Sequence, residues 1–379
     1  MNRSVVIAGG GLAGSAAACV LALAGRPVLL LEREAAQVPK ICGEFISAET
    51  AVYLQRLGVD LNLLGAHRID RLRLVRGRAM VRSKLPFVGF GLSRGILDEA
   101  LLQRAAACGA EIRRGQTVNR IRTGDDLTLE LGGGGDIRAK TLFLATGKHD
   151  VRGLRRELRV APEDLVGFKL HLLLSPAQQR EMAGHVDLML FAGGYAGLQL
   201  VEDGIANLCL LVGAAYLRDA GGTWIALLQN LRQAVPHLQT RLEGAVQLET
   251  VPVSISRVPY GFVHVATPAD PVGVFRLGDQ VGVIPSFTGD GMAIALHSAA
   301  LAASAYLEGA AASTYHRRIR NDIAGQIGRA VALYRWARGA IGQSMLMQVA
   351  AWPGSLGLAA EFTRIAPRAV ARALMQIRS

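Results

Sequence analysis

An α/β fold with an inserted antiparallel β-sheet and a helical C-terminal region is predicted from three features of this 379-residue chain. A Gly9-x-Gly11-x-x-Gly14 loop follows a short apolar stretch and precedes a run of small residues. A second glycine-acid loop, Gly278-Asp279, lies far along the chain at the end of another apolar stretch and leads through Pro285 to Gly289-Asp290-Gly291. Between them, from about residue 166 to 268, the pattern turns to alternating strands, and helical periodicity dominates after Gly291.

The elements follow in order. Ser4–Ala8 is a short buried strand, Gly14–Gly25 a small-residue helix able to press close to a sheet, and Pro27–Glu32 a second strand, apolar until its last residue. Leu97–Cys108 has the spacing of an amphipathic helix, and Glu111–Arg122 returns as strand. Leu127–Leu131, the Gly132–Gly135 turn and Asp136–Leu144 form a hairpin that ends at Ala145-Thr146-Gly147. The inserted sheet carries one helix, with Thr223 as its candidate N-cap. Val274–Leu277 is the strand that delivers Gly278-Asp279, and helices follow at about Gly291–Leu307, Thr314–Ile341 and Glu361–Ile377. The expected domains are therefore 1–165 with 269–310, an insertion at 166–268, and a C-terminal helical cap at 311–379.

The first loop has a chemical logic. Gly9 permits a tight turn, Gly11 lets backbone approach a phosphate, and Gly14 lets helix and strand pack closely, so a dinucleotide pyrophosphate can sit on the helix N-terminus. Glu32 ends the second strand 18 residues after Gly14, where an acid hydrogen-bonds the adenosine ribose. This Rossmann-like unit does not by itself separate NAD from FAD. The distant Gly278-Asp279 loop does, because a ligand gripped from both ends of the chain must be long, and FAD is. Asp279 is suited to a ribityl hydroxyl, and the helix opening at Gly289, Gly291 and Met292 places a positive dipole end where an anionic reduced ring would benefit.

Composition bounds the rest. With 51% hydrophobic and 19% charged residues the chain is folded and rather apolar. Gly9, Gly10, Gly11 and Gly14 interrupt what would be the apolar stretch of a signal peptide, and no segment reaches an uninterrupted transmembrane length. Cys19, Cys42, Cys108 and Cys209 show neither a C-x-x-C pair nor zinc spacing, so free thiols in a reducing cytoplasm are expected, with no metal. The net charge of +12 is concentrated after Ser313, where ten arginines face two acids. No nucleic-acid module accompanies it. A docking surface for an anionic membrane or an acidic carrier, and a merely solvated helix, both remain open. Arg364, Arg368 and Arg372 recur at i, i+4, i+8, so a single helix would put them on one face, either for peripheral membrane contact or with the helix packed on its own protein.

Taken together, Gly9-x-Gly11-x-x-Gly14 with Glu32-Arg33, Arg94-x-x-Leu97-Asp98, Ala145-Thr146-Gly147 and Gly278-Asp279…Pro285…Gly289-x-Gly291 resemble the flavoprotein superfamily that joins aromatic-ring hydroxylases, flavin-dependent halogenases and geranylgeranyl reductases. The resemblance covers most of residues 1–310. It implies FAD as cofactor, with Arg33 by the adenosine, the backbone of Val118 at the adenine, and Arg94 near the ribityl–phosphate region. Pro39-Lys40-Ile41-Cys42-Gly43-Glu44 resembles the Cys-Gly segment of geranylgeranyl reductase-like proteins, which lies beside the flavin. Cys42 there would shape the ring face, donate a proton, or pack as a small hydrophobe, and Glu44 would act as an acid/base or join a salt bridge with an arginine.

Two departures sharpen the expectation. Thr146-Gly147 stands where aromatic hydroxylases carry an Asp-Gly pair tied to pyridine-nucleotide use, so the electron donor is left between NAD(P)H and a partner reductase. Trp224, Trp336 and Trp352 do not form the Trp-x-Trp-x-Ile-Pro segment of halogenases. The favoured chemistry is flavin hydride transfer to or from a C=C bond of a hydrophobic isoprenoid, polyketide or phenolic molecule. The alternative is monooxygenation of the same substrate class, and a catalytically silent flavoprotein is a third reading. Tyr195, beside the Gly193-Gly194 turn, belongs either to a substrate wall or to an ordinary hairpin.

Overall fold

The computed structural model describes residues 2–158, 161–352 and 354–377. The chain begins with β1 (Asn2–Ala8), α1 (Leu12–Leu23), β2 (Leu29–Leu31), β3 (Phe45–Ile46), α2 (Ala48–Arg56), β4 (His67–Arg76), β5 (Ala79–Gly91) and α3 (Arg94–Ala107). Four strands follow, β6 (Glu111–Arg113), β7 (Val118–Arg122), β8 (Leu127–Leu131) and β9 (Asp136–Leu144). Next come β10 (Leu165–Leu173), α4 (Pro176–Met182), β11 (His185–Phe191), β12 (Gly194–Leu200), β13 (Ile205–Gly213), α5 (Ala214–Asp219), α6 (Trp224–Ala234) and α7 (Pro236–Arg241). Then β14 (Val246–Gln247), β15 (Val253–Ser256) and β16 (Val274–Arg276) lead into α8 (Gly291–Leu307), α9 (Ala312–Ala337), α10 (Ala340–Ala350), α11 (Ser355–Phe362) and α12 (Pro367–Met375).

One sheet runs β6-β2-β1-β9-β8-β7, with β16 beside β9. β1 is parallel to β2 and β9, and β9 to β16, the arrangement of a dinucleotide-binding unit. Helix α1 is buried from Leu12 to Leu21 because Ala13, Gly14, Ser15, Ala16, Ala17 and Ala18 leave room for α3 and α8 to lie against it. A wider row of side chains here would hold the layers apart.

The second sheet runs β14-β10-β13-β12-β11-β4-β5-β3, with β15 beside β10. It is antiparallel except for the parallel β11–β4 pair. Strands β3, β4 and β5 belong to it, although residues 45–91 were expected with the nucleotide-binding unit. Leu74 packs against Met347 and Ala350 of α10, while its neighbour Arg73 turns to the opposite face and is buried as well, so β4 is covered on both sides there. The sheet's outer face packs under α6 and α7, where buried Asp187 binds Arg73 (2.9 Å), His237 (2.6 Å) and Arg241 (3.1 Å). Thr223 caps α6 as expected, accepting from Ala226 N–H at 3.3 Å.

The C-terminal helices break where single helices were expected. After α9 the chain turns at Gly339, and a Cβ at Gly342 would stand 1.9 Å from Trp336 O, so the corner admits only glycine. Pro367 starts α12 at its first turn and ends the preceding segment. Arg364 therefore lies outside the helix that holds Arg368 and Arg372. Its guanidinium stacks 3.5 Å over Phe87 and binds Glu49, while Arg372 binds Asp322, so the three arginines form no common basic face.

Candidate functional site

The glycine loop is locked by backbone. Gly9 has φ +107°, and a Cβ there would lie 2.4 Å from Ala145 O; at Gly14 it would lie 1.9 Å from Gly9 O. Neither position tolerates a side chain. Helix α1 has no side-chain cap and no acid in its first turn. Over Gly11 stand two cations, Arg94 Nη2 at 3.8 Å and Lys40 Nζ at 3.9 Å from the position of a Cβ. Asp98 holds both, with Lys40 at 2.7 Å and Arg94 at 2.9 and 3.0 Å. Burial disfavours the charged Arg94, but Asp98 and Cys42 beside it outweigh that and raise its pKa. A helix N-terminus under two cations is a cradle suited to a pyrophosphate.

Glu32 Oε2 accepts from Gly10 N–H at 2.6 Å and Oε1 from Glu34 N–H at 2.9 Å. Gly10, Glu32, Lys40, Arg94 and Asp98 line one groove. Arg33 turns outward to Glu34 (2.7 Å). Val118 opens β7 just after Gln116, whose N–H donates to Glu32 O at 2.9 Å, so this chain passes the same strand end.

The second loop lies across α1. Gly278 has φ +56° and donates its N–H to Ser298 Oγ at 2.9 Å, with Ala13 of α1 beside it. The Asp279 carboxylate stands 3.6 Å from Lys148 Nζ. Pro285 opens a turn that ends at Gly289 (φ +74°), where a Cβ would come within 2.9 Å of the Phe45 ring. Gly291 then starts α8, and Met292 is buried. Asp290 occupies the N-cap but makes no capping bond; it is 1% exposed, and neither carboxylate oxygen has a hydrogen-bond partner among the described residues. Burial pushes its pKa up to about 8, with Arg364 lowering and Glu49 raising it.

Residues 42–44 join these halves to the second sheet. Lys169 on β10 pairs in register with Cys209 on β13, and His171 with Asn207, so all four share one sheet face. Asn207 Nδ2 donates to the carbonyls of Cys42 (3.2 Å) and Gly43 (2.9 Å). Fully buried Glu44, at φ +58°, binds the Lys169 ammonium and the Arg94 N–H (2.8 Å) through Oε1 and His171 Nε2 (2.8 Å) through Oε2. Burial pushes the Glu44 carboxyl up, but the His171 hydrogen bond and Lys169 charge prevail and hold its pKa below the usual value. His171 Nδ1 reaches half-exposed Glu249 at 3.2 Å. Half-buried Cys42 accepts from Glu44 N–H at 3.3 Å. Glu44 thus forms its salt bridge with a lysine rather than an arginine. The sequence reading missed Lys169, His171, Asn207 and Cys209, whose signal is two polar residues spaced i, i+2 in each of two otherwise apolar strands.

Other expected features resolve differently. Tyr195 Oη meets Ser286 Oγ, in the turn before Gly289, at 2.6 Å. Thr146 Oγ1 donates to His149 O at 2.7 Å, and Gln280 Nε2 to Gly147 O at 2.8 Å, which ties down that loop. His264, Asp270 and His316 cluster elsewhere, but burial holds His316 neutral, down to about 3. Because its Nε2 accepts from Arg276 N–H at 3.1 Å, its Nδ1 carries the proton and offers no lone pair to a metal.

Residues 2–136 match the family described as FAD binding domain. Digeranylgeranylglycerophospholipid reductase 2 of Methanopyrus kandleri is 28% identical over 309 residues, covering 77% of this chain and 74% of its own. Among solved structures, the flavin-dependent brominase Bmp2 superposes with a TM-score of 0.78 at 16% identity, covering 100% of this chain and 95% of its own. A geranylgeranyl bacteriochlorophyll reductase-like protein of Thermoplasma acidophilum gives a TM-score of 0.74 at 18% identity, covering 99% and 96%. These structures share the fold.

Proposed function

We propose that this chain, an FAD-dependent oxidoreductase of the superfamily joining geranylgeranyl reductase-like proteins and aromatic-ring hydroxylases, reduces a C=C bond of a hydrophobic, isoprenoid-type molecule. The observation that carries this reading is the buried Glu44–Lys169–His171 cluster directly behind Cys42-Gly43. Adding hydrogen across a C=C bond takes a proton as well as an electron pair. Lys169 is buried, and its one hydrogen-bond partner among the described residues is Glu44, so N–H groups remain to face a ligand. Glu44 holds that ammonium in place, and His171 with Glu249 connects the cluster toward solvent.

In this reading Gly9, Gly11 and Gly14, with Arg94 and Lys40, hold the FAD pyrophosphate. Glu32 takes the adenosine ribose, Arg33 flanks the adenosine and the Val118 backbone meets the adenine. Asp279, after Gly278, holds the ribityl chain. Pro285, Gly289, Gly291 and Met292 border the pyrimidine, and Cys42 and Gly43 the ring face. Bound there, FAD supplies the electron pair; the protein orients it, excludes water and holds the proton. The 166–268 sheet serves as the substrate wall.

The reductase name of the Methanopyrus relative supports a lipid-like substrate with isoprenoid chains. No helix among the described residues is long and apolar enough to cross a membrane. Peripheral contact is assigned to α10, where Ile341, Met345 and Val349 are exposed at i, i+4, i+8, with exposed Trp352 just beyond. The electron donor is NAD(P)H or a partner reductase.

The test is to photoreduce the FAD-loaded protein without oxygen and add a digeranylgeranylglycerophospholipid in detergent. Return of the oxidised flavin spectrum, with a gain of two hydrogens per double bond in the lipid, is the expected result. An atom of oxygen in the product after air is admitted, with no saturation beforehand, overturns the reading in favour of monooxygenation.

A further inference from the structure

Ser286 sits in the turn between Pro285 and Gly289, and its hydroxyl meets two tyrosines from different parts of the chain. Tyr195 Oη, at the start of β12, lies 2.6 Å from Ser286 Oγ, and Tyr260 Oη lies 2.8 Å from the same atom. An aromatic frame surrounds them. Phe287 meets Tyr195 edge-on at 6.4 Å and stacks on Tyr334 at 6.5 Å, and Tyr334 lies 6.1 Å from Tyr260. Ser286 itself is exposed, whereas both tyrosines are partly buried.

Proton counting makes the trio directional. Three hydroxyls carry three protons, and two mutual hydrogen bonds use two of them. Whichever way the hydroxyls rotate, one proton is left, and the three oxygens have no further acceptor among the described residues. The phenols cannot relieve this by ionising, since burial raises the pKa of both. A chain of hydroxyls also polarises its terminal O–H and makes it a better donor.

We propose that Tyr195, Ser286 and Tyr260 form a subsite for a carbonyl oxygen borne on a ring, a quinone or cyclic enone, with the aromatic frame taking the ring itself. The subsite narrows the C=C reading above to a C=C bond conjugated with a ring carbonyl, and rests on that reading for its catalytic meaning. Hydride addition to a C=C bond conjugated with a carbonyl moves an electron pair onto the carbonyl oxygen, and a proton then enters at the neighbouring carbon. The spare O–H of the trio is placed to bind the oxygen on which that charge gathers.

The test uses binding to the FAD-loaded protein, so it stands apart from turnover. Dissociation constants of 2-methyl-1,4-naphthoquinone and of 2-methylnaphthalene are measured by equilibrium dialysis for the wild type, Ser286→Ala and Tyr260→Phe. The wild type is expected to prefer the quinone by about 5- to 10-fold, the worth of one buried neutral hydrogen bond. Ser286→Ala breaks the hydroxyl chain and lowers that preference while leaving 2-methylnaphthalene binding unchanged. Tyr260→Phe, which keeps the ring, reduces the preference. No preference in the wild type, or equal weakening of both ligands in both variants with FAD content unchanged, overturns the proposal. Failure to saturate a C=C bond in either the lipid or a cyclic enone, with the quinone preference intact, sinks the C=C reading and leaves the subsite standing.

Discussion

Replacing Asp290 by Asn is expected to stabilise the FAD-free protein, and to do so more at neutral than at acid pH. The carboxyl is 1% exposed, finds no hydrogen-bond partner among the described residues, and is pushed from 3.8 up to about 8. Because the folded state holds the proton more tightly than the unfolded one, folding stability falls as pH rises from about 4 to about 8 and levels off beyond. At roughly 1.4 kcal/mol per pKa unit, the penalty at neutral pH is on the order of 4 kcal/mol and vanishes near pH 4. Asparagine has a similar shape and no ionisation, so the variant escapes it. Urea unfolding of FAD-stripped wild type and Asp290→Asn, at several pH values across that window, measures the difference directly. A difference that stays flat with pH would refute the reasoning, since it would mean the wild-type carboxyl already has partners in the folded state.

Lys169→Met leaves Glu44 buried without its cation and should cost about 3–5 kcal/mol in thermal or urea unfolding, whereas Glu44→Gln with Lys169→Met together should recover part of it. Gly14→Ala, whose Cβ would stand 1.9 Å from Gly9 O, is expected to lose FAD on gel filtration even where the protein stays folded. Cys42→Ala should retain FAD and slow lipid-driven flavin reoxidation; unchanged rates return Cys42 to packing. Ile341→Glu with Trp352→Glu should abolish sedimentation with anionic vesicles, and retention of full binding would place the membrane contact elsewhere.

The nucleotide-binding half was legible because its signals are local. Gly9, Gly11, Gly14 and Glu32 lie within one strand–helix–strand unit, and that unit follows from their spacing alone. The second sheet was only half legible. Strand β4 carries arginines on both faces, Arg73 toward Asp187 and Arg76 toward α10, so it reads as polar until the packing that buries it is seen. The arginine stripe at 364, 368 and 372 was a periodicity without a helix, because Pro367 sets a helix start between the first residue and the others. Tyr195 could be placed in a hairpin from its glycines, but not beside Ser286, 91 residues away.

The sequence by itself determined the strand–helix–strand unit with its glycine loop and a second glycine loop at a later strand end, since short-range backbone geometry dictates both. Only the tertiary structure decided which side chains gather beside these loops. Glu44 meets Lys169 across 125 residues, and Cys209 and Asn207 join them through strand register. Asp290 is isolated because α8 begins inside the protein rather than at its surface. Register and burial are properties of the packed whole, and no local pattern encodes them.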